Sequence, residues 1–242
     1  MRGAEACGGK TSRWSSVSRL AEFSCKPRAD LGVGCGPGGP PHANVMRLAL
    51  FGGTFDPIHS AHLTVAREAA DKFHLDQVWF VTAAHPPHKS DQTGAGYEDR
   101  CKMVELACHG DPRLVVSRLE SGAGKSYSID TIERVRASGE EPYFIIGADA
   151  FAEIATWHRW QDLLRLTEFI VVTRPGHEYA SPPGARVHRL DTVALPVSSS
   201  EIRRQLGAGG IPPELPPEVA QYIAAKGLYQ VPCATARSVS QP

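Results

Sequence analysis

From Met46 onward, short runs of consecutive apolar residues alternate with stretches whose apolar residues recur every three or four positions. That alternation is the strongest constraint on the fold. Leu48–Phe51, Val78–Thr82, Tyr143–Ile146 and Phe169–Thr173 are too short and too evenly apolar for surface helices, and read as buried strands; Leu114–Val116 reads as a further one. Between them, Leu63, Ala66, Ala69 and Ala70 space as a helix, as do Asp99–His109, Ile129–Arg136 (ended by Gly139) and Trp160–Leu166. Two more helices are expected over Ser200–Leu206 and Pro217–Ala225, the latter with proline in its first turn. Strands alternating with helices specify a parallel sheet covered on both faces. The expected architecture is a single doubly wound, Rossmann-like α/β domain.

Composition narrows the function. The 242 residues carry 26 basic and 26 acidic side chains, which excludes a polycation built to coat nucleic acid. The longest apolar runs are four residues, far below the roughly 18 that suggest a membrane span. Residues 1–45 hold eight glycines, four prolines and five serines, and lack the apolar stretch of a secretory signal. They read as a disordered extension, with Met46 an alternative start, and residues 231–242 read as a flexible tail. Residues 46–230 are left with 19 basic and 23 acidic groups, net −4. An acidic domain of this kind binds anions through a few placed groups and backbone amides. The six cysteines form no C-x-x-C pair, and they read as free thiols of a cytoplasmic protein.

Three segments at expected strand ends resemble phosphate sites. The first is Phe51-Gly52-Gly53-Thr54-Phe55-Asp56-Pro57-Ile58-His59-Ser60-Ala61-His62-Leu63. A Gly-Gly turn after a strand admits a phosphate, and the helix that follows presents its positive end. His59 and His62, three apart, can face one bound group and donate to a phosphoryl whose charge builds in the transition state. The same pair could instead bind a metal, although no third ligand stands nearby, or cap the helix. The second segment is Pro86-Pro87-His88-Lys89, whose lysine reads either as a phosphate contact or as a solvated loop residue. The third, Ser198-Ser199-Ser200-Glu201-Ile202-Arg203, is either an anion site at a helix start or a serine N-cap with a surface arginine.

The segment GGTFDPIHSAHL closely resembles the nucleotidyltransferase superfamily marked by His-x-Gly-His after the first strand. More narrowly it is similar to the bacterial nicotinate-nucleotide adenylyltransferase family, with Ala61 in place of the usual glycine. Pro86–Lys89 resembles that family's PPHK loop, and Ser198–Arg203 its ISSTxIR signature. Phe144-Ile145-Ile146-Gly147-Ala148-Asp149 through Trp157 resembles FIIGxD…W, and Lys125-Ser126-Tyr127-Ser128 resembles its SYT segment, with serine for threonine at 128. The resemblance spans residues 47–229 and closes on Gly-Leu-Tyr.

It implies transfer of AMP from ATP to nicotinate mononucleotide, giving deamido-NAD and pyrophosphate in NAD biosynthesis. His59, His62, Lys89 and Arg203 would be catalytic. Gly52, Gly53, Thr54, Phe55, Gly147, Asp149, Ser198, Ser199 and Ser200 would bind ATP, and Tyr127, Ser128, Trp157 and His158 the mononucleotide. Trp157, which by itself reads equally as a core aromatic, would stack on the pyridine ring. Mg²⁺ is expected to be held mainly through the ATP phosphates, with no protein metal site. Neither nucleic acid nor membrane is expected as a partner, and a homo-oligomer is compatible with the sequence. Two other readings remain: phosphopantetheine adenylyltransferase, which typically has threonine where this chain has His59, and a nucleotide-binding module without turnover.

Overall fold

A computed structural model describes residues 46–85, 93–121, 124–192 and 197–230. The terminal segments read as disordered, and the Pro86–Lys89 segment, lie outside the described residues. Six parallel strands form one sheet in the order β3-β2-β1-β4-β5-β6. They are β1 Leu48–Gly53, β2 Gln77–Thr82, β3 Leu114–Ser117, β4 Tyr143–Gly147, β5 Glu168–Thr173 and β6 Val187–Asp191. The helices are α1 Ser60–Lys72, α2 Tyr97–Cys108, α3 Ser128–Ala137, α4 Ala148–Ala152, α5 Trp160–Leu166, α6 Ser199–Gly207 and α7 Pro217–Lys226, with a 3₁₀ turn at Ile154–Thr156.

The pleat divides the apolar side chains between two cores. Ala49, Val78, Phe80, Ile145 and Ile170 face α1, α2, α6 and α7. Leu48, Leu50, Phe144, Ile146, Phe169 and Val171 face α3, α4 and α5. This is the doubly wound α/β domain expected from the alternation, with two findings beyond it. The expected reading has no strand at Val187–Asp191, where only Leu190 of the five residues is buried and the edge position tolerates charge. It also has no helix at α4, which is five residues long and too short to show a period.

Between β1 and β4 the strand order reverses, and in open parallel sheets ligands bind beyond the carboxyl ends at such a point. A buried guanidinium fixes this corner. Arg100 of α2 is 1% exposed and donates through Nη1 to the carbonyls of Thr54 (2.7 Å) and Ala83 (2.8 Å), and through Nε to that of Ala95 (3.2 Å). It ties the chain just past β1 to the chain just past β2. Arg100→Met keeps the bulk but strips the donors from three carbonyls. It is expected to lower unfolding free energy by about 3 kcal/mol, or a melting temperature drop of roughly 6–12 °C. A loss below about 1 kcal/mol in urea unfolding would mean that water replaces the guanidinium.

Candidate active site

The site begins at the end of β1. Gly52 and Gly53 are not a turn, as the sequence reading has it, but the last two strand residues, in register with Val81 and Thr82 of β2. Pairing with β2 carries the strand two residues further, and the turn falls on Thr54–His59. Phe55 adopts a left-handed conformation (φ +49°) that folds its ring back onto the sheet. That ring is buried against Phe51 and Phe80, and a β-carbon at Gly53 would lie 2.8 Å from it. Gly53 is therefore needed by Phe55, and Phe55 offers a ligand only its backbone.

His59 is the N-cap of α1 and is buried, while His62, one turn on, is partly exposed. The pair closes a capping box at the start of α1, with the His62 side chain accepting the His59 backbone N–H, so the helix-capping role is filled here alongside whatever the rings do for a ligand. The two rings lie 3.8 Å apart at 32°, and His62 meets the Phe51 and Phe55 rings edge-on. Burial lowers His59 to about 4; burial, and then His59 itself, lowers His62 to about 3. Both are neutral at pH 7. The His59 backbone N–H donates to His62 Nδ1 at 3.3 Å, so the His62 proton sits on Nε2 as a donor. His59 Nδ1 is buried with no partner among the described residues. The pair supplies neutral N–H donors held in place before any ligand arrives.

A titration follows. Folded-state values below the unfolded 6.5 or so mean that the folded protein binds fewer protons than the unfolded chain from about pH 6.5 down to about 3. These groups therefore favour folding above that window, and their contribution is lost as pH falls through it. In nucleotide-free protein the imidazole NMR signals of both histidines should stay flat from pH 8 to about 5.5. A midpoint above pH 6 at either ring would rule out the neutral pair.

Helix α6 docks against the same turn. The Ser198 hydroxyl caps it by accepting the Glu201 N–H at 3.2 Å, and the Ser199 hydroxyl donates to the Pro57 carbonyl at 3.1 Å. Arg203 donates through Nη1 to the Asp56 carbonyl (2.7 Å) and through Nη2 to Ser200 Oγ (3.3 Å). Arg203 thus comes to the turn that precedes the histidines, and all three serine hydroxyls are already engaged by protein. The first amide of α1, at Ser60, is likewise taken by the Glu214 carbonyl at 2.8 Å. Fewer backbone donors of α1 are free for phosphate than the sequence suggests. Lys89, read from sequence as the remaining cation, lies outside the described residues.

Two cavities open at the carboxyl ends of the strands. One, of about 290 Å³, lies between β4 and β5 and is lined by Gly147, Asp149, Thr173, Arg174 and His177. Gly147 is exposed, and a β-carbon there would meet nothing within 4 Å. Arg174 and His177 are missed by the sequence reading; a cation directly after an apolar strand is the signal that marks Arg174. The second cavity, of about 480 Å³, is lined by Ser126, Tyr127, Ser128, Trp157 and His158 among others. Ser126 clips it to the end of β2, with its N–H on the His85 carbonyl and its Oγ accepting the His85 N–H, both at 3.1 Å. Trp157 stands edge-on to Phe144 at 6.3 Å and 88°, while the His158 ring stacks on Tyr127 at 4.4 Å. A larger cavity, about 540 Å³, sits at the amino ends of β4 and β5, the wrong edge for a ligand in this fold. Its Arg136 and Arg186 are paired with Glu141 and Glu168.

Among the described residues no group of three or more His, Cys, Asp or Glu is placed to hold a metal ion. Asp56, the carboxylate nearest in sequence to the histidines, is buried and accepts the N–H groups of Gly94 (2.7 Å) and Ala95 (3.1 Å) and the Tyr229 hydroxyl (2.7 Å).

Comparison with known proteins bears on this geometry. A cytidylyltransferase-like family model matches residues 50–205. The chain is 59% identical over 187 residues to the probable nicotinate-nucleotide adenylyltransferase of Solibacter usitatus, covering 76% of this chain and all of that protein. It is 43% identical over 187 residues to the protein of the same name from Frankia casuarinae, covering 74% and 98%. In fold it is similar to Plasmodium falciparum nicotinic acid mononucleotide adenylyltransferase complexed with NaAD, with a TM-score of 0.66 at 21% identity, covering 76% and 97%. The same enzyme complexed with APC gives a TM-score of 0.63 at 20% identity, covering 76% and 97%. With its histidine pair at the sheet's switch point and relatives this similar over their whole length, the chain belongs to the nicotinate-nucleotide adenylyltransferase family.

Proposed function

We propose that the protein transfers the adenylyl group of MgATP to the 5′-phosphate of nicotinate mononucleotide. The observation that carries this reading is the neutral His59–His62 pair at the switch point, in a sheet whose carboxyl edge bears one cavity beside Gly147 and another beside Trp157. A phosphate oxygen of the mononucleotide attacks the α-phosphorus of ATP, the bond to the β-phosphate oxygen breaks, and pyrophosphate leaves. The attacking oxygen is already an anion, so no general base is required. Catalysis is then positioning and charge stabilisation.

His59 and His62 donate to the transferring phosphoryl group, and Arg203 with Lys89 holds the departing pyrophosphate. Gly52, Gly53 and Thr54 pass beneath the phosphates; Gly147, Asp149 and Arg174 face the adenosine. Tyr127, Ser128, Trp157 and His158 form the mononucleotide pocket. Because Asp56 has its oxygens engaged, Mg²⁺ is best understood as part of the nucleotide substrate, held by phosphates and water. No helix among the described residues is long and apolar enough to cross a membrane, which fits the cytoplasmic site inferred for the reaction.

The deciding assay incubates the protein with MgATP and, separately, nicotinate mononucleotide, nicotinamide mononucleotide and phosphopantetheine, and follows pyrophosphate. Release with the first acceptor supports the reading. Release only with phosphopantetheine, or nucleotide binding without release, would replace it.

A further inference from the structure

Asp56 joins four separate parts of the chain. Its Oδ2 accepts from the Gly94 N–H at 2.7 Å, and its Oδ1 from the Ala95 N–H at 3.1 Å and the Tyr229 hydroxyl at 2.7 Å. Its carbonyl accepts from Arg203 Nη1 at 2.7 Å, and the same Nη1 lies 3.7 Å from Oδ2. Tyr229 reaches this point because the chain turns back after α7, with Gly227 at φ +62° and Tyr229 itself at φ +64°. A β-carbon added at Gly94 would lie 2.7 Å from the Tyr229 ring and 3.1 Å from Arg203 Cδ. The tyrosine ring and the arginine stem therefore crowd the same α-carbon.

An arginine side chain is long and loses much rotamer freedom when fixed, so a guanidinium aimed at a phosphate works best when held beforehand. Here the Asp56 carbonyl fixes one nitrogen, the Gly94 face fixes the stem, and Tyr229 holds both Asp56 and Gly94. Burial and the Asp56 carboxylate push the Tyr229 hydroxyl far above its usual value, so it remains a donor throughout the working pH range. We propose that Tyr229 is a positioning residue for Arg203, acting through Asp56 and Gly94. The proposal rests on the reading above, in which Arg203 holds the phosphates of ATP.

The test is a double-mutant cycle of Tyr229→Phe and Arg203→Ala, read in turnover, in MgATP binding by calorimetry and in melting temperature. Tyr229→Phe alone is expected to lower kcat about tenfold and weaken MgATP binding about threefold, while KM for nicotinate mononucleotide changes less than about twofold. In the Arg203→Ala background the same change should alter kcat and MgATP binding by less than about twofold. Equal losses in both backgrounds, or no loss in the wild-type background, would overturn the positioning role. If the wild type releases no pyrophosphate with nicotinate mononucleotide, the parent reading fails, and the binding arm of the cycle still decides the link between Tyr229 and Arg203. A general loss of structure would appear as a melting temperature drop with equal losses in both backgrounds, which also overturns it.

Discussion

Replacing His62 with alanine is expected to lower kcat by roughly 10²–10³-fold, the usual size for losing one transition-state donor. His62 is the better probe of the pair. His59 is 4% exposed at the N-cap, so its removal would disturb packing as well as chemistry. His62 is partly exposed, its Nε2 carries the proton, and what it gives up structurally is the 3.3 Å contact from the His59 N–H and edge contacts with two phenylalanines. The melting temperature should fall by only a few degrees, about 1 kcal/mol for a domain of this size. A folded His62→Ala protein with near-normal kcat would remove the residue from the mechanism.

The second large effect is selectivity for the acid. Nicotinate mononucleotide should exceed nicotinamide mononucleotide in kcat/KM by at least about 10²-fold. Ser128 is the first residue of α3, and first-turn N–H groups have no partner within their helix. Asp130 and Thr131 donate back to the Tyr127 carbonyl and Ile129 is fully buried, so the donor of that end that faces the cavity is the Ser128 N–H. Such an end favours an anion. A carboxylate accepts only, which matches this donor, whereas a carboxamide must also place two N–H bonds against it at about 1–3 kcal/mol of unmet desolvation. Ser128, Trp157 and His158 line one cavity, which puts the Ser128 end of α3 and the proposed stacking ring within reach of the same pyridine. His158, however, stacks on Tyr127 and so contributes through that ring. The check is kcat/KM for both mononucleotides at fixed MgATP. A ratio near one would mean that the pyridine substituent lies elsewhere.

What the sequence discloses depends on the range of the interactions involved. β1, β4 and β5 are readable because a strand buried on both faces must be apolar throughout, and the spacing of α1 and α3 marks their inward faces. β6 escapes because an edge strand can carry His188, Arg189 and Asp191, and the Gly52-Gly53 register is set by β2, not by the glycines. In the candidate site, His59, His62 and Trp157 sit in contiguous motifs and can be singled out. Asp56 and Tyr229 fall inside resembling segments that assign them no task, and Arg100 lies outside every one of them. Apart from the Ala95 carbonyl, five residues from Arg100, their partners lie 17 to 173 residues away, and no local pattern announces those contacts.

The reach from Asp56 to Tyr229 also sets an order in time. During synthesis all six strands, the last ending at Asp191, leave the ribosome before α6 and α7, so the sheet and its histidines can assemble first. The arginine that meets the Asp56 carbonyl arrives with α6, and the hydroxyl that ties the Asp56 carboxylate down arrives only at residue 229. A nascent chain halted between β6 and Tyr229 would therefore hold all six strands but lack one or both of the ties that Arg203 and Tyr229 make to Asp56. The corner around Asp56 is thus completed only after every strand of the sheet has been made.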